Sequence, residues 1–473
     1  MNTIIKTTSR NDFKAKVYLL DMIEQIDNIQ LNEQEINYIK EYHESTKGKK
    51  TIHINRFTEH LYFYVIAQEL EFRRLEEARQ SGASMATRIN KHDINEVLVT
   101  DVTGVNHDEL FAYVEGMALA NYKFTKYKTD PKENSLETIY LEEGYDEEIL
   151  NNINITVEST LWARDLVNEP VNHLNAVQFA DTVSAKLREV GVHVEVLNKK
   201  KIEALKMGGL LAVNAGSIDE PTFTIAEWKP ENLKNEQPFV LVGKGVVYDT
   251  GGYNLKPGAS MATMKHDMAG AASVAAALYG IAKARLPYYV VALIPATDNR
   301  IDGNANVPGN VVTMFDGSTV EIANTDAEGR MILADALSYA KKYDPILVMD
   351  FATLTGAASN AIGPHASVVM HKDADIYLSS LKEYGEEVYE RLIEFPLWDE
   401  YAELIKSDIA DVKNVGSKYG GAITAGKFLE RFTDYPWIHF DIAGTAFLDS
   451  RDGYRVAGAT GIHVRLLMKY FGD

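Results

Sequence analysis

Between Val242 and Arg330 the chain concentrates side chains that could do chemistry: Lys244, Asp249, Lys256, Asp267, Asp326, Glu328 and Arg330. Their contexts are short and unusual: Gly243-Lys244-Gly245, Tyr248-Asp249-Thr250-Gly251-Gly252, Leu255-Lys256-Pro257, Met264-Lys265-His266-Asp267-Met268 and Asn324-Thr325-Asp326-Ala327-Glu328-Gly329-Arg330. Four carboxylates gathered together repel one another unless cations neutralise them. Divalent ions suit oxygen-rich clusters, and two of them balance four carboxylates, leaving Lys256 and Arg330 to attract an anion. The stretch reads as a two-metal catalytic site. The chain has no cysteine, so any metal has to be held by oxygen and nitrogen.

These motifs resemble those of the leucyl aminopeptidase family, the cytosol aminopeptidases, whose signature is the heptapeptide Asn324 to Arg330. The likeness runs from about Trp162 to the C-terminus, through Arg164-Asp165-Leu166-Val167-Asn168, Ala352-Thr353-Leu354-Thr355-Gly356 and Pro436-Trp437-Ile438-His439-Phe440-Asp441-Ile442-Ala443-Gly444. The N-terminal third carries no matching motif.

The resemblance implies that Lys244, Asp249, Asp267, Asp326 and Glu328 ligate two divalent metals per subunit. Asp249 and Glu328 would bridge the ions, Lys244 and Asp267 would complete the tighter site, and Asp326 the more exchangeable one. Mn²⁺ or Zn²⁺ is implied, with Mg²⁺ or Co²⁺ as candidates for the exchangeable site. A lysine has to lose its proton to become a ligand, against an ordinary pKa of about 10.4, and two dications favour that loss. Lys256 and Arg330 match the catalytic positions: Lys256 would stabilise a developing oxyanion, and Arg330 would hold a bicarbonate acting as general base. The implied activity is metal-dependent hydrolysis of the N-terminal residue from peptides. The resemblance further implies a homohexamer.

A pocket for the cleaved residue's side chain is implied at Met264, Thr353, Gly356, Ala443 and Ala446. Ala446 stands where some members of the family carry Met, so the expected preference is for larger apolar residues, Met and Phe at least as readily as Leu.

Plainer readings attach to individual residues. Among 68 acidic residues, an isolated aspartate is usually a solvated surface group. His266 and His439 read as packing or supporting residues rather than ligands. Gly251-Gly252 permit positive φ, which would turn Lys256 back towards Asp249. A helix starting near Gly270 would present N–H groups to the site.

Two rivals are weaker. Gly421-Ala422-Ile423-Thr424-Ala425-Gly426-Lys427-Phe428 satisfies the phosphate-loop pattern G-x-x-x-x-G-K, which would suggest an NTPase. Yet Phe428 stands where a Ser or Thr should bind Mg²⁺, and no apolar strand precedes it. A non-enzymatic scaffold or DNA-binding role meets a formal net charge of -20, which disfavours broad contact with phosphates.

To position such a site, 473 residues suggest more than one domain. The expectation is an α/β protein of two domains. A small N-terminal α/β domain would span residues 1–152, with a linker helix over about 147–168. A larger catalytic domain would span 153–473, built on a mostly parallel, mixed sheet flanked by helices. Apolar runs at Phe239-Val240-Leu241-Val242-Gly243, Tyr289 to Ile294 and Ile346 to Asp350 read as strands buried on both faces. Ala269 to Ala284, Arg330 to Tyr343 and Ala425 to Phe432 supply helices. In the first domain, Lys14-Val17-Leu20-Ile23-Ile26 has helical spacing, Glu69 to Gly82 an exposed helix, Glu96 to Thr100 a strand, His107 to Lys123 a helix, and Asp130 to Glu143 a loop. No apolar run is long enough to span a bilayer, and Met1 to Lys16 lacks the apolar core of a secretory signal, so a cytoplasmic location is expected.

Overall fold

The computed structural model describes residues 3–46, 51–66, 71–103 and 107–473. Two compact units emerge, the first formed by Met1–Leu161 with Glu387–Tyr389 and Ser450–Ala457, the second by Trp162–Glu386, Glu390–Asp449 and Gly458–Asp473. The division falls at Leu161, inside the continuous helix Glu147–Asn168.

The first unit is built on β1 (Ile4–Thr8), β2 (Ala15–Leu20), β3 (Thr51–Asn55), β4 (His60–Val65), β5 (Glu96–Asp101) and β6 (Thr138–Glu142), in the order β1-β6-β5-β2-β4-β3. All pairs are parallel except β3 with β4. Two expectations fail here. The helical spacing from Lys14 to Ile26 is a strand followed by a short 3-10 turn, Ile23–Asn28. Ala15, Val17 and Leu19 alternate inward, and β2 gains ladders on both sides, which a helix there would forfeit. The stretch Asp130 to Glu143, read as a loop, contains β6, whose Ile139 and Leu141 are fully buried. The helix expected over Glu69 to Gly82 is described from Glu71 and continues to Lys91; Glu69 and Leu70 lie outside the described residues. It packs Ala78, Ala83, Met85, Ala86 and Ile89 into the core.

The second unit contains β7 (His193–Leu197), β8 (Thr222–Trp228), β9 (Phe239–Gly243), β10 (Gly245–Asp249), β11 (Val290–Asn299), β12 (Val311–Thr313), β13 (Thr319–Glu321), β14 (Leu347–Ala352), β15 (Ser367–Lys372), β16 (Leu392–Glu394), β17 (Val412–Lys413) and β18 (Trp437–Asp441). Its main sheet runs β16-β15-β18-β14-β9-β11-β8-β7, with β10 added to β11. The centre is parallel: β18, β14, β9 and β11. Antiparallel pairing enters on either side, β15 with β18 and β8 with β11. The mixed α/β architecture is therefore as expected.

Every residue of β9, β11, β14 and β18 is buried, because helices cover both faces. The alanine-rich helix Ala269–Lys283 packs against the sheet. A methyl group on Gly270 would come 1.9 Å from the Phe351 carbonyl oxygen, so Gly270 serves the contact between helix and sheet. The helix Gly329–Ala340 is buried along most of its length.

Candidate active site

The seven residues converge at the C-terminal ends of the central parallel strands, where open α/β sheets place their sites. Lys244 follows β9, held by its own N–H on the Phe351 carbonyl at 3.0 Å. Asp249 ends β10, Asp267 sits in the 3-10 turn Met264–Met268, and Asp326 and Glu328 form the loop leading into Gly329–Ala340.

Lys244 Nζ stands 2.8 Å from Asp267 Oδ1 and 3.0 Å from Glu328 Oε1. Lys256 Nζ lies 2.7 Å from Asp249 Oδ2 and 2.5 Å from Asp326 Oδ1. Carboxylate oxygens of Asp249, Asp326 and Glu328 fall within 4.8 Å of one another, the one such metal-ligating cluster among the described residues. All but Lys256 and Asp326 are nearly sealed from solvent.

Burial and mutual repulsion govern the charges. Burial, reinforced by Glu328, pushes Asp249 up to about 6 against the pull of Lys256 and Lys244. Burial likewise holds Asp267 well above the carboxylate range and raises Asp326. Glu328 goes the other way: burial opposes its charge, but Lys244 and Lys256 hold it below its ordinary value. Burial also opposes the charge on Lys244, yet Asp267, Glu328 and Asp249 keep it above the lysine range. The carboxylates alone thus favour an ammonium at Lys244, and a neutral amine there requires added positive charge nearby.

Divalent metal fits this donor set. Asp267 Oδ2 and Glu328 Oε2 are buried and without a hydrogen-bond partner among the described residues, so acceptor capacity faces the cluster unspent.

Thr353, Asn299 and Asn414 position the cluster. Thr353 donates its hydroxyl to Asp267 Oδ1 at 2.8 Å, and its carbonyl accepts from Lys244 Nζ at 2.9 Å. Asn299, ending β11, donates to Asp249 Oδ1 at 2.8 Å and to the Thr325 carbonyl at 3.1 Å. Its signal was a polar residue at the C-terminal end of an apolar strand. Asn414 ties the signature loop, accepting from Ala323 N at 2.8 Å and donating to the Asn324 carbonyl at 2.7 Å; nothing local in the sequence marks it. Gly251 and Gly252 have φ of 86° and 62°, and Lys256 N returns to the Thr250 carbonyl at 2.9 Å.

Over residues 161–468 the chain matches the family model described as "Cytosol aminopeptidase family, catalytic domain". The chain belongs to the cytosol aminopeptidase family. It is a metallo-aminopeptidase by that membership, and divalent metal is its cofactor. It is 42% identical over 427 residues to a probable cytosol aminopeptidase of Chlorobium limicola, covering 84% of each chain. To the Chlorobaculum parvum protein of the same description it is 52% identical over 312 residues, 65% of this chain and 61% of that one. Among solved structures it resembles the bottromycin maturation enzyme BotP in complex with Mn, with TM-score 0.84 and 27% identity, covering 97% of this chain and 98% of that one. A tomato leucine aminopeptidase mutant shares the fold with TM-score 0.85 at 24% identity, covering 99% and 96%.

The remaining family positions are placed less uniformly. Arg330 is buried in the first turn of its helix, with Nη1 donating to the Asn414 carbonyl at 2.7 Å and Nε unpartnered among the described residues. Burial lowers its pKa to about 10. Met264 opens the turn that carries Asp267, and Thr353 binds Asp267 directly. Gly356 is exposed at the start of the helix Gly356–Ile362, with nothing within 4 Å of an added methyl. Ala443 is half-buried, and its N–H donates to Asp441 Oδ1 at 3.2 Å. Ala446 is buried, and the ring of its neighbour Phe447 stacks on His266 at 5.0 Å.

Neither histidine joins the cluster. His266 Nδ1 meets the Thr263 carbonyl at 2.6 Å, and His439 Nδ1 is 2.6 Å from Asp350 in the core. The G-x-x-x-x-G-K run is no phosphate loop: Gly421–Glu430 is a helix, and Lys427 pairs with Glu430 and Asp399. No described helix is long and apolar enough to cross a membrane.

Proposed function

We propose that this aminopeptidase works with two divalent ions held by Lys244, Asp249, Asp267, Asp326 and Glu328. The observation that carries the reading is the convergence of Asp249, Asp326 and Glu328 oxygens within 4.8 Å, with Lys244 Nζ bridging Asp267 and Glu328. When bound, such ions acidify water, polarise the scissile carbonyl and anchor a free α-amine. Mn²⁺ is the first candidate, since BotP is described with Mn.

The chain's own residues supply the rest. Asp249 and Glu328 sit centrally and are the candidates to bridge, while Asp326, with a side chain 32% exposed, belongs to the more exchangeable position. Lys256, partly exposed at the mouth, is positioned to donate to the substrate carbonyl oxygen as negative charge grows on it. Arg330, with an uncommitted Nε, is the candidate to grip a planar oxyanion such as bicarbonate as the general base.

The substrates we assign are peptides with an apolar N-terminal residue, and the assembly we assign is a homohexamer in the cytoplasm. Met264, Thr353, Gly356, Ala443 and Ala446 would line the side-chain pocket. A difference of one or two methylenes is worth about 1–3 kcal/mol, so the preference should be broad. Comparing kcat/KM for Leu, Met, Phe, Ala and Asp substrates in wild type and Ala446→Met tests the pocket. Met and Phe should rival Leu, and the substitution should lower the Phe-to-Leu ratio; an unchanged ratio removes position 446 from the pocket.

A further inference from the structure

The two edges of the first unit's sheet are finished differently. At the β1 edge, Asn154 on the helix Glu147–Asn168 accepts from Ile5 N at 2.9 Å and donates to the Ile5 carbonyl at 2.9 Å, so a side-chain amide stands in for the next strand there. β3 forms the other edge and pairs with β4 alone. Arg56 N–H on the Glu59 carbonyl at 2.8 Å closes their turn, and His60, opposite Asn55, sends its own N–H away to the Lys14 carbonyl at 2.7 Å. Antiparallel alternation from that turn commits Ile54 and Ile52 to β4 and points the N–H and C=O of Thr51, His53 and Asn55 outward. None of these outward groups has a partner among the described residues.

Beside this open ladder runs a groove of about 620 Å³, a volume in the range of ligand-binding clefts. One wall is the first turns of the helix Glu33–Ser45, with Tyr38, and the other is β3, with Ile54, ending at Phe57. Tyr38 is 47% exposed and Phe57 96%. Phe57 is held in place: its φ of 66° lies in the left-handed region that bulky side chains avoid, and its N–H donates to Asn55 Oδ1 at 2.7 Å. Its neighbour Arg56 is clamped to Glu35 at 2.6 Å through both Nε and Nη2, and to Glu59 at 3.1 Å, which braces the turn. β3 itself, Thr51 to Asn55, carries no proline and no Lys, Arg, Asp or Glu, the residues that commonly keep sheet edges from pairing.

We propose that the β3 edge is a docking site for an extended segment of a partner protein, which adds to the sheet as a further strand with apolar side chains at alternate positions. The outward N–H and C=O groups recur at every second residue, the spacing that another extended backbone repeats. The groove selects the side chains. Those facing the helix meet Tyr38 and Ile54, and those on the opposite face of the sheet meet the His53 ring. A charged residue facing the helix gains nothing from Glu35 and Arg56, which are already paired with each other.

The test uses the full chain and a blocked peptide, Ac-Lys-Thr-Ile-Thr-Leu-Thr-Lys-amide, which offers no free α-amine to an aminopeptidase. It should bind with a Kd at or below about 1 mM. N-methylation at every second residue removes the donors of one alternate set. On the set that faces β3 it should weaken binding at least about tenfold, and on the other set it should leave binding unchanged. Tyr38→Ala should weaken binding at least about fivefold with aminopeptidase activity unchanged, which also shows that the variant is folded. No saturable binding, or equal loss from both N-methylated sets, would overturn the proposal. So would a peptide that splits the protein into smaller species in sedimentation, since a second copy of the chain would then hold the edge.

Discussion

The side chain of Lys244 passes directly over Gly329. A methyl group built on Gly329 would come 2.4 Å from Lys244 Cε and 2.7 Å from its Nζ, so the absence of a side chain at 329 is what lets Lys244 reach Asp267 and Glu328. The glycine of the signature heptapeptide is thus a clearance for the lysine between β9 and β10.

Gly329→Ala should therefore fold and yet lose catalysis. Displacing Lys244 by about an ångström should lower kcat by at least about 100-fold, with metal affinity falling alongside. Steady-state kinetics and metal titration of the purified variant check this. Wild-type kcat with wild-type metal affinity would show that Lys244 is not where the chemistry needs it.

Lys256 makes a different prediction because its two partners, Asp249 and Asp326, belong to the cluster while it sits at the mouth. Lys256→Ala should keep the metal and lose kcat by roughly 100- to 1,000-fold, the scale of removing one oxyanion donor. A variant with near-normal kcat would take Lys256 out of the transition state.

Acid stability reports on a third residue. His463 is fully buried, donates to or accepts from Ser367 Oγ at 2.7 Å, and burial pushes it down to about 3. Glu390 Oε2 stands 3.9 Å from its Nδ1. An unfolded histidine takes up its proton near pH 6.5. As pH falls below that value, the unfolded chain binds a proton that the folded chain refuses. The stability is therefore complete above about pH 6.5 and is lost progressively towards the folded value, by on the order of a few kcal/mol. His463→Gln should be less stable at pH 7 but show a shallower loss of Tm between pH 7 and pH 5. The comparison separates this group from Asp249, Asp267 and Asp326, whose raised values act in the opposite sense. An identical pH slope in both proteins would refute it.

The parts of the molecule legible in the sequence share one property, that local composition carried the information. The strands β9, β11 and β14 are apolar on both faces, and the heptapeptide from Asn324 to Arg330 holds its chemistry within seven consecutive residues. What escaped is what long-range pairing decides. Residues Ala15 to Leu20 fit a helix or a strand, and ladders to β4 and β5 settle the choice. Asn414 is silent in sequence because its role lies in the Ala323 N–H and Asn324 carbonyl it meets, some 90 residues away. Gly329 was visible as a motif residue, but its reason, the neighbouring Lys244, was not. The helix does start beside Gly270, at Ala269, and its Ala271 N–H meets the Lys244 carbonyl at 3.0 Å, but the glycine's own reason, clearance from the Phe351 carbonyl, was not visible.

The central claim is that Asp249, Asp326 and Glu328, with Lys244 and Asp267, hold two catalytic ions. Its most direct test is aminopeptidase activity measured against bound Mn²⁺, from chelator-stripped protein upward. Activity should be absent in the stripped protein and reach its maximum at two ions per chain. Full activity without metal, or a maximum already reached at one ion, would contradict the account.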